Sequence, residues 1–346
     1  MLSVQGLSEL PANKSKIDLT INGTPYSVIA MQGEEAVSQG FTFQCEILTD
    51  SLLPLNALVN NTSRLLFHGQ DGIERTVIGV VTIIHELGWF DDTHLRVQIS
   101  LESALTKLKH QVDTRIILGH SVPDIIKLTC ERHGILGDNL KFDLSRNYPV
   151  KPYTLQANET DWHFICRLAS NSGLYFYSVS NEHDQEVVVF TDHNAHCPYI
   201  AREVLQFIPD SGQTTTFAGA KQVGLFQLSA NARQVIPQAH VHDVNEETPS
   251  TQLLATTQLQ TLTQTRQTPA PGDTKFGQGT HTLDETDAHS KLMAEQAKVM
   301  AFDLTAKGNV VDMAAGHICS IEAQRFGPDY SGDYFIVSVH HEATTS

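Results

Sequence analysis

Basic residues, long apolar runs and targeting signals are all scarce in this sequence of 346 residues. No window approaches the ~18 consecutive apolar residues of a membrane-spanning helix. Lys and Arg number 23 against 39 Asp and Glu, a formal net charge of −16, so the chain lacks the basic surface that nucleic-acid binding requires. The same charge disfavours docking on anionic lipid. We therefore expect no nucleic-acid partner and no stable membrane insertion.

Cysteine and signal-peptide features are also sparse. The first residues, Met1-Leu-Ser-Val-Gln-Gly, lack the basic and apolar regions of a signal peptide. The cysteines are widely spaced and form no C-x-x-C pair, which favours buried, reduced thiols over a disulfide framework. They are Cys45, Cys130, Cys166, Cys197 and Cys319. We expect synthesis in a reducing compartment, and export by another machine if the protein leaves the cell.

Catalytic motifs are missing as well. The sequence contains no G-x-S-x-G elbow, no phosphate-binding G-x-x-x-x-G-K loop and no H-E-x-x-H. Gly277-Gln-Gly279 lacks the third glycine of a dinucleotide site and is interpreted as a turn. Adjacent acids on a strand would face opposite sides and could not work together; such pairs are Glu34-Glu35, Asp91-Asp92 and Glu246-Glu247. The sequence therefore predicts no catalytic residue, no cofactor and no enzyme.

Histidines provide the remaining candidates for chemistry. The segment Asp192-His193-Asn-Ala-His196-Cys197 places four possible metal ligands within six residues, and His183 could be a more distant donor. Zinc motifs usually bring two separated ligand pairs together, so a polar loop is favoured, with a His/Cys metal-binding module as the alternative. His240 and His242 would share a strand face, whereas His340 and His341 would not. We interpret both of these pairs as structural or surface residues.

The first hundred residues have the pattern of β-strands, and the chain length predicts about two domains. Ile17, Leu19 and Ile21 alternate before Asn22-Gly23, the dipeptide most typical of a type I′ hairpin. Further apolar runs follow at 77–84, where Gly79 indicates a possible bulge, and at 95–101. Five or more short strands favour an antiparallel barrel or sandwich.

A mixed pattern begins near residue 102. Ser121-Val-Pro-Asp124 predicts a capping box that begins a helix, and Gly134 is placed to end it. Asn158-Glu-Thr-Asp161 predicts the start of a second helix, which Gly173 ends. Residues 174–179 and 187–190 then predict a pair of strands. The segment is interpreted as a small α/β element.

From about residue 201 the β pattern returns. The Thr/Gln-rich stretch 248–268 predicts an exposed loop or an extended strand pair. One helix is predicted from the shared face of Leu292, Met293, Ala297 and Met300. Final strands are predicted at 318–321 and 334–340, so a second β domain is expected.

The middle segment carries many residues at fixed offsets. It contains Arg146-Asn-Tyr-Pro149, then Gln156-Ala-Asn158-Glu159-Thr-Asp161-Trp-His-Phe164-Ile-Cys-Arg167-Leu168, then Gly173-Leu-Tyr-Phe176. This order resembles the signature of VgrG proteins, the type VI secretion spike proteins related to the hubs of contractile phage tails. Gly33-Glu-Glu35-Ala-Val-Ser38-Gln-Gly-Phe41 is similar to the family's first-barrel element, and Gly316 to His340 resembles the final strands of its hub.

The resemblance implies a mainly β (α+β) fold that resembles a contractile-tail hub. Two related antiparallel β-barrels would flank a small α/β element: a first barrel at 1–101, the α/β element at 102–200, and a second barrel with one inserted helix at 201–346. It implies that Glu159, Asp161 and Arg167 form structural pairs, on a helix capped by Asn158. The sequence stops at Ser346, where the family's OB-fold and β-helix spike normally follow, so we expect those domains to be absent.

The same resemblance implies a function without catalysis. A homotrimer would present six barrels to a hexameric Hcp tube, carry a spike extension and secreted effectors, and contact baseplate proteins. It would be assembled in the bacterial cytoplasm and exported by the type VI machinery. A baseplate hub of a contractile phage tail is the first alternative. A cell-wall-acting hydrolase, or the metal-binding module named above, is an alternative of another class.

Overall fold

The computed structural model of the protein describes residues 2–5, 17–208, 216–217, 220–221, 223–234, 238–258, 273–277, 279–324 and 326–344. The described chain is mainly β. It forms two compact units, one made of Leu2–Ser229 with Thr305–Ser346 and the other of Ala230–Leu304.

The first six strands after β1 (Leu2–Gln5) close into an antiparallel barrel. The pairing order is β3-β2-β5-β6-β7-β4, and β4 returns to pair with β3. A short helix, α1 (Leu55–Leu58), connects β4 to β5. The strands are β2 (Ile17–Ile21), β3 (Thr24–Ala36), β4 (Gly40–Thr49), β5 (Thr62–His68), β6 (Glu74–Trp89) and β7 (Leu95–Glu102). Inward side chains such as Leu19, Phe43, Leu65 and Ile99 are wholly buried and fill the barrel.

An α/β element follows the first barrel. Strands β8 (Val112–His120) and β10 (Lys151–Thr160) form a two-stranded antiparallel ribbon. Strands β9 (Leu140–Asp143), β11 (Tyr175–Ser180) and β12 (Glu186–Thr191) form a three-stranded sheet in which β9 and β12 are parallel. Helices α2 (Val122–Glu131) and α3 (Asp161–Ser172) bury Ile125, Ile126, Phe164 and Ile165 in a shared core.

Six further strands form a second, mixed barrel. The order is β16-β20-β1-β22-β21-β13, with parallel pairing of β1 to β22 and of β13 to β21. A bridge between Phe207 and Leu225 joins the end of β13 to the start of β16 and closes the circle. Its later members are β13 (Leu205–Gln206), β16 (Leu225–Ala232), β20 (Phe302–Gly308), β21 (Ile318–Glu322) and β22 (Gly332–Thr344). Between β13 and β16 lies a small ribbon of β14 (Thr216–Phe217) and β15 (Ala220–Lys221).

The two barrels are joined along one seam. Residues 338–344 of β22 pair antiparallel with residues 30–36 of β3. The N-terminal part of the same strand β22 pairs with β21, so β22 belongs to the second barrel and borders the first. The pairing spans seven residue pairs, long enough to fix the register of the seam.

The second unit is a small two-layer structure. Strands β17 (Gln238–Val244), β18 (Gln252–Gln258) and β19 (Asp273–Phe276) pair in the order β18-β17-β19, with β19 parallel to β17. Helix α4 (Leu283–Val299) packs Met293 and Ala294 against Ala239 and Val241 of the central strand.

The expected mainly β fold is confirmed, as are several local signals. Asn22 and Gly23 both have positive φ in the β2–β3 turn, and the Ser121 side chain and Asp124 complete a capping box at α2. The strand pair β11–β12 forms as the apolar runs predict. The division at residues 101 and 200 stays a prediction. The structure adds that β1, at the start of the chain, pairs with β22 of the second barrel.

Three local predictions need correction. Thr160, not Asn158, caps α3, because Asn158 adopts a positive φ in an irregularity of β10, whereas the Thr160 hydroxyl accepts the His163 N–H. Met300 follows α4 and is exposed, so it lies outside that helix's buried face. Gly79 makes no bulge, since the register of β6 shifts only at 81–83 and 86–88.

The Thr/Gln-rich stretch is only partly described. Gln252–Gln258 forms β18, whose Leu253 is buried, and residues 259–272 lie outside the described residues. Gly277 and Gly279 both have positive φ, while Gln278 lies outside the described residues.

Gly33 on β3 has no room for a side chain. It pairs with Phe43 of β4, and a Cβ atom on Gly33 would lie 2.2 Å from Cδ1 of Phe43. The glycine therefore allows an aromatic ring to cross the inside of the first barrel, close to the seam.

We expect Gly33→Ala to lower the free energy of unfolding by about 1–3 kcal/mol, the usual cost of overpacking a filled core. Urea unfolding measures this. In a Phe43→Leu background the same substitution should cost less, because the smaller side chain leaves space for the methyl group. An equal cost in both backgrounds would contradict the steric explanation.

Candidate functional site

The signature residues of the middle segment form a buried polar network. Asp161, at the start of α3, is wholly buried. Its Oδ1 accepts hydrogen bonds from Gln156 Nε2 at 2.9 Å and Arg115 Nη2 at 3.3 Å, and His133 Nε2 lies 2.7 Å from Oδ2. Arg115 also donates to Gln156 Oε1 at 2.7 Å. The network ties the ribbon β8–β10 to both helices of the α/β element.

A second ion pair, formed by Glu159 and Arg167, lies beside this network. Arg167 of α3 donates to the Glu159 carboxylate and, at 3.0 Å, to the Leu155 carbonyl of β10. Glu159 and Arg167 therefore form the expected structural pair, while Asp161 pairs with Arg115 and with Arg132, at 3.8 Å, rather than with Arg167. The spacing of Glu159, Asp161 and Arg167 in the signature is therefore explained by these contacts within the fold.

Asp192 holds the Tyr-Pro part of the signature. Its carboxylate accepts the backbone N–H groups of Ser145 and Arg146, both at 2.8 Å, and the Tyr148 hydroxyl at 3.0 Å. Burial alone would raise the pKa of Asp192, but these hydrogen bonds lower it below its ordinary value. The carboxylate therefore fixes the turn that leads into β10.

The other residues of the predicted metal-ligand segment have different roles. His193 Nδ1 accepts the Ala195 N–H at 3.0 Å, and His196 Nε2 lies 2.7 Å from the Ser145 hydroxyl. The Cys197 thiol lies 3.6 Å from the Tyr175 hydroxyl. Over the part of the chain that the structure describes, no three His, Cys, Asp or Glu side chains form a group that could hold a metal ion.

A buried charge cluster lies at the seam between the barrels. Arg75 Nη2 of β6 donates to Glu35 Oε2 of β3 at 2.6 Å, and Arg75 Nη1 donates to the Met313 carbonyl at 2.6 Å. His341 Nε2 of β22 lies 2.6 Å from Glu35 Oε1. Glu35 and His341 are both buried, so the cluster joins β3, β6, β22 and the loop before β21.

The protonation of this cluster follows from its partners. Burial on its own would raise the pKa of Glu35, but the Arg75 guanidinium and His341 bring it down to about 2. Burial lowers the pKa of His341, against the opposing effect of the Glu35 carboxylate. At neutral pH the cluster is therefore an ionised Glu35–Arg75 pair with a neutral imidazole hydrogen-bonded to it.

The sequence predicts that the two residues of each adjacent pair face opposite sides of a strand. It does not predict that Glu35, Arg75 and His341 contact one another. The alternation of β3 places Glu34 outside and Glu35 inside, and His340 and His341 face opposite sides as predicted. Alternation with Met31 and Gly33 is the one signal that could have placed Glu35 in the core. The other two acid pairs lie in turns rather than on strands; Asp91 caps its turn by accepting the Thr93 and His94 N–H groups, both at 2.7 Å.

A cleft of about 490 Å³ borders the cluster. Glu186, at the end of the cleft toward the α/β element, accepts the Ala104 N–H and the Ser178 hydroxyl, both at 2.7 Å. Burial raises the pKa of Glu186, against the effect of these hydrogen bonds. A third buried carboxylate of the cleft, Asp312, accepts the Arg202 N–H at 2.9 Å. Glu35, Glu186 and Asp312 thus all accept hydrogen bonds from other parts of the fold.

The larger unit is thus a pair of barrels joined edge to edge through β3 and β22, with buried ionic contacts beside the joint. The chain belongs to the phage tail baseplate hub family, whose model matches residues 34–346. Among curated proteins it is similar to the type VI secretion system spike protein VgrG4b of Pseudomonas aeruginosa, with 29% identity over 227 residues, which cover 64% of this chain and 27% of that protein. The chain thus spans about a quarter of the length of that relative.

Solved structures share the fold. The E. coli c3393 protein, described as a component of the type VI secretion system similar to the T4 tail proteins gp27 and gp5, matches with a TM-score of 0.68 and 17% identity, covering 94% of this chain and 73% of that one. The 43 kDa tail protein of prophage MuSo2 from Shewanella oneidensis matches with a TM-score of 0.63 and 11% identity, covering 95% of both chains. Within the described ranges, none of the helices has the length and apolar character needed to cross a bilayer.

We expect Asp161→Asn to lower the free energy of unfolding by about 3 kcal/mol, because it removes the buried carboxylate that Arg115, Arg132 and His133 contact. The matched control is Glu159→Gln, two residues earlier in the same motif. Its pair with Arg167 is solvent-accessible, so the loss should be below ~1 kcal/mol. Urea unfolding compares the two variants, and equal losses would contradict the packing role given to Asp161.

The Glu35 cluster predicts a specific pH dependence. Because the pKa of Glu35 is lowered from 4.5 to about 2, its ionised form stabilises the fold above the unfolded pKa, and this contribution is lost as the pH falls from about 4.5 toward about 2. We expect Glu35→Gln to cost about 3 kcal/mol at neutral pH, with a cost that shrinks steadily over this acidic range.

Urea unfolding of the wild type and Glu35→Gln between pH ~7 and ~3 measures the gap between their free energies of unfolding. Glu34→Gln is the control, because Glu34 lies on the same strand with its side chain in solvent, and it should leave the profile unchanged. A gap that stays constant with pH would show that Glu35 is not ionised in the folded protein.

Proposed function

We propose that this chain is the hub of a VgrG-type puncturing spike in a type VI secretion system. Three copies would form a ring that caps the Hcp tube hexamer and carries a spike extension and secreted effectors, in contact with baseplate proteins. The observation that carries this proposal is the pair of six-stranded barrels joined in one chain. Three such chains would present six barrels, which suits the symmetry of a hexameric tube.

The seam supports a mechanical role. Seven consecutive residue pairs join β22 to β3, and the Glu35–Arg75 contact crosses from β3 to β6 beside it. Such a joint would hold two docking surfaces at a fixed distance under axial load. The buried carboxylates are engaged by backbone and side-chain donors, which supports a structural rather than catalytic function. Export would then depend on the type VI machinery.

A baseplate hub of a contractile phage tail is the second candidate. Its support is the Shewanella tail protein, which aligns with this chain over 95% of both lengths. The two candidates share the fold and differ in the tube protein that the hub must contact.

The experiment that tests the proposal is tube binding. We expect the purified chain to bind Hcp hexamers from its own organism, detected by co-sedimentation and by a cap at one end of Hcp tubes in electron micrographs. A phage tail-tube protein is the competing ligand. Binding to that protein alone would favour the phage candidate, and binding to neither tube would contradict both.

Two further measurements address the alternatives of another class. Hydrolysis of purified peptidoglycan by this chain alone would contradict the non-enzymatic role. Stoichiometric zinc in the purified protein, lost in His193→Ala, would support the metal-binding module instead.

A further inference from the structure

Two exposed apolar features of the Leu2–Ser229 portion have no structural function in the described fold. The first is the tip of the β6–β7 hairpin, where Trp89 and Phe90 are each 61% exposed. The second is one face of the ribbon β8–β10. Monomeric soluble proteins rarely expose contiguous apolar patches of several hundred square ångströms unless these serve in binding.

The hairpin tip is held in a defined shape. Phe90 N–H donates to the His94 carbonyl at 2.8 Å, and the Asp91 carboxylate accepts the Thr93 and His94 N–H groups. Hydrogen bonds from Thr93 and His94 lower the pKa of Asp91, so it is negatively charged at neutral pH. With Asp92 beside it, the tip is an aromatic projection that carries negative charge, and rigid aromatic side chains are frequent hot spots of protein interfaces.

One face of the ribbon is apolar and exposed. Ile116 pairs with Leu155 and Leu118 pairs with Tyr153, so the four side chains adjoin on one face, where Leu118 is 66% and Tyr153 67% exposed. The opposite face, with Thr154 and Gln156, is buried against the α/β element. Among the described residues no third strand joins the ribbon.

Charge distinguishes the two features. At the end of the apolar face Lys151 pairs with His120 across the ribbon, next to Leu118 and Tyr153. A lysine there complements the acidic Asp91-Asp92 turn, and charge complementarity of this kind orients partners. The two surfaces are both exposed in one molecule, so they do not cover each other within it, but they can meet between two molecules.

We propose that the ribbon face formed by Ile116, Leu118, Tyr153 and Leu155 receives the Trp89–Phe90 hairpin tip of a second copy of this chain. The contact uses different surfaces on its two sides, and a head-to-tail contact of this kind closes identical chains into a ring when its rotation between neighbours is a whole fraction of a turn. The proposal rests on the hub function proposed above and adds the surfaces that would join neighbouring copies.

The test uses one variant of each surface, Trp89→Glu at the tip and Leu118→Glu on the ribbon. Sedimentation equilibrium should show ring-sized assembly of the wild type and at least ~30-fold weaker self-association of each variant. A 1:1 mixture of the variants should recover a two-chain species, because each supplies the surface that the other has lost. Leu52→Glu is the control, since Leu52 is equally exposed but belongs to neither surface.

Several results would overturn the proposal. These are a wild type that stays monomeric at all concentrations, a variant that assembles like the wild type, or a mixture that stays monomeric. Circular dichroism and urea unfolding confirm that the variants fold. If either fails to fold, Asp92→Lys and Lys151→Glu replace them: each alone should weaken association, and the double variant should restore it.

The outcome is separable from that of the hub function. A monomeric wild type that still binds Hcp tubes would overturn the ring of copies and leave the tube-binding part of the proposed function standing. A wild type that assembles through these two surfaces but binds no tube would support the ring contact and contradict the hub function.

Discussion

The antiparallel pairing of β22 with β3 is the contact on which the rest of the larger unit depends. It brings the last strand of the chain against one of the first, and it makes two closed barrels share a border. The Glu35–Arg75–His341 cluster lies at this border. A buried ion pair adds little net stability over an apolar replacement, but a mispaired one is costly. A one-residue slip of β22 that brings Glu342 to the position of His341 would place a second carboxylate against Glu35. The cluster therefore disfavours that slip.

Buried carboxylates have a similar role in the α/β element. Asp161 joins a strand ribbon to two helices, Asp192 fixes the turn before β10, and Glu186 binds the start of the helical turn at Ala104. Each accepts at least three hydrogen bonds or ionic contacts, so each is costly to leave unpaired. The signature residues Tyr148 and Asp161 thus take part in holding the fold together. The surfaces proposed to contact a second copy are formed by other residues.

Local signals in the sequence predict local structure well. Asn22 and Gly23 adopt the positive φ that their turn requires, and Ser121 and Asp124 form a capping box. Both features depend on contacts that span four residues or fewer. The prediction of Asn158 as the cap of α3 is wrong. Asn and Thr are both residue types that cap helices, and the irregularity in β10 places Thr160 rather than Asn158 at the start of the helix. The pairing of Glu35 with His341 spans 306 positions, and no periodicity indicates a partner at that distance. The alternation of inward and outward residues on β3 can predict that Glu35 is buried, but it cannot predict that Arg75 is its partner. The motif was recognisable by its spacing, while its packing role required the fold.

The distribution of polar groups also explains where binding surfaces can lie. Because each copy has a net charge of −16, two copies repel each other in most relative orientations. At physiological salt this repulsion is screened only when the charges are more than about 8 Å apart. Close contact between copies is therefore favoured where charge is low and apolar area is high. The ribbon face around Ile116 and Leu118 has both properties, and Lys151 at its end adds a positive charge that most of the surface lacks. The self-association proposed for this acidic chain would need such a region, because apolar burial there can outweigh the repulsion between the remaining surfaces.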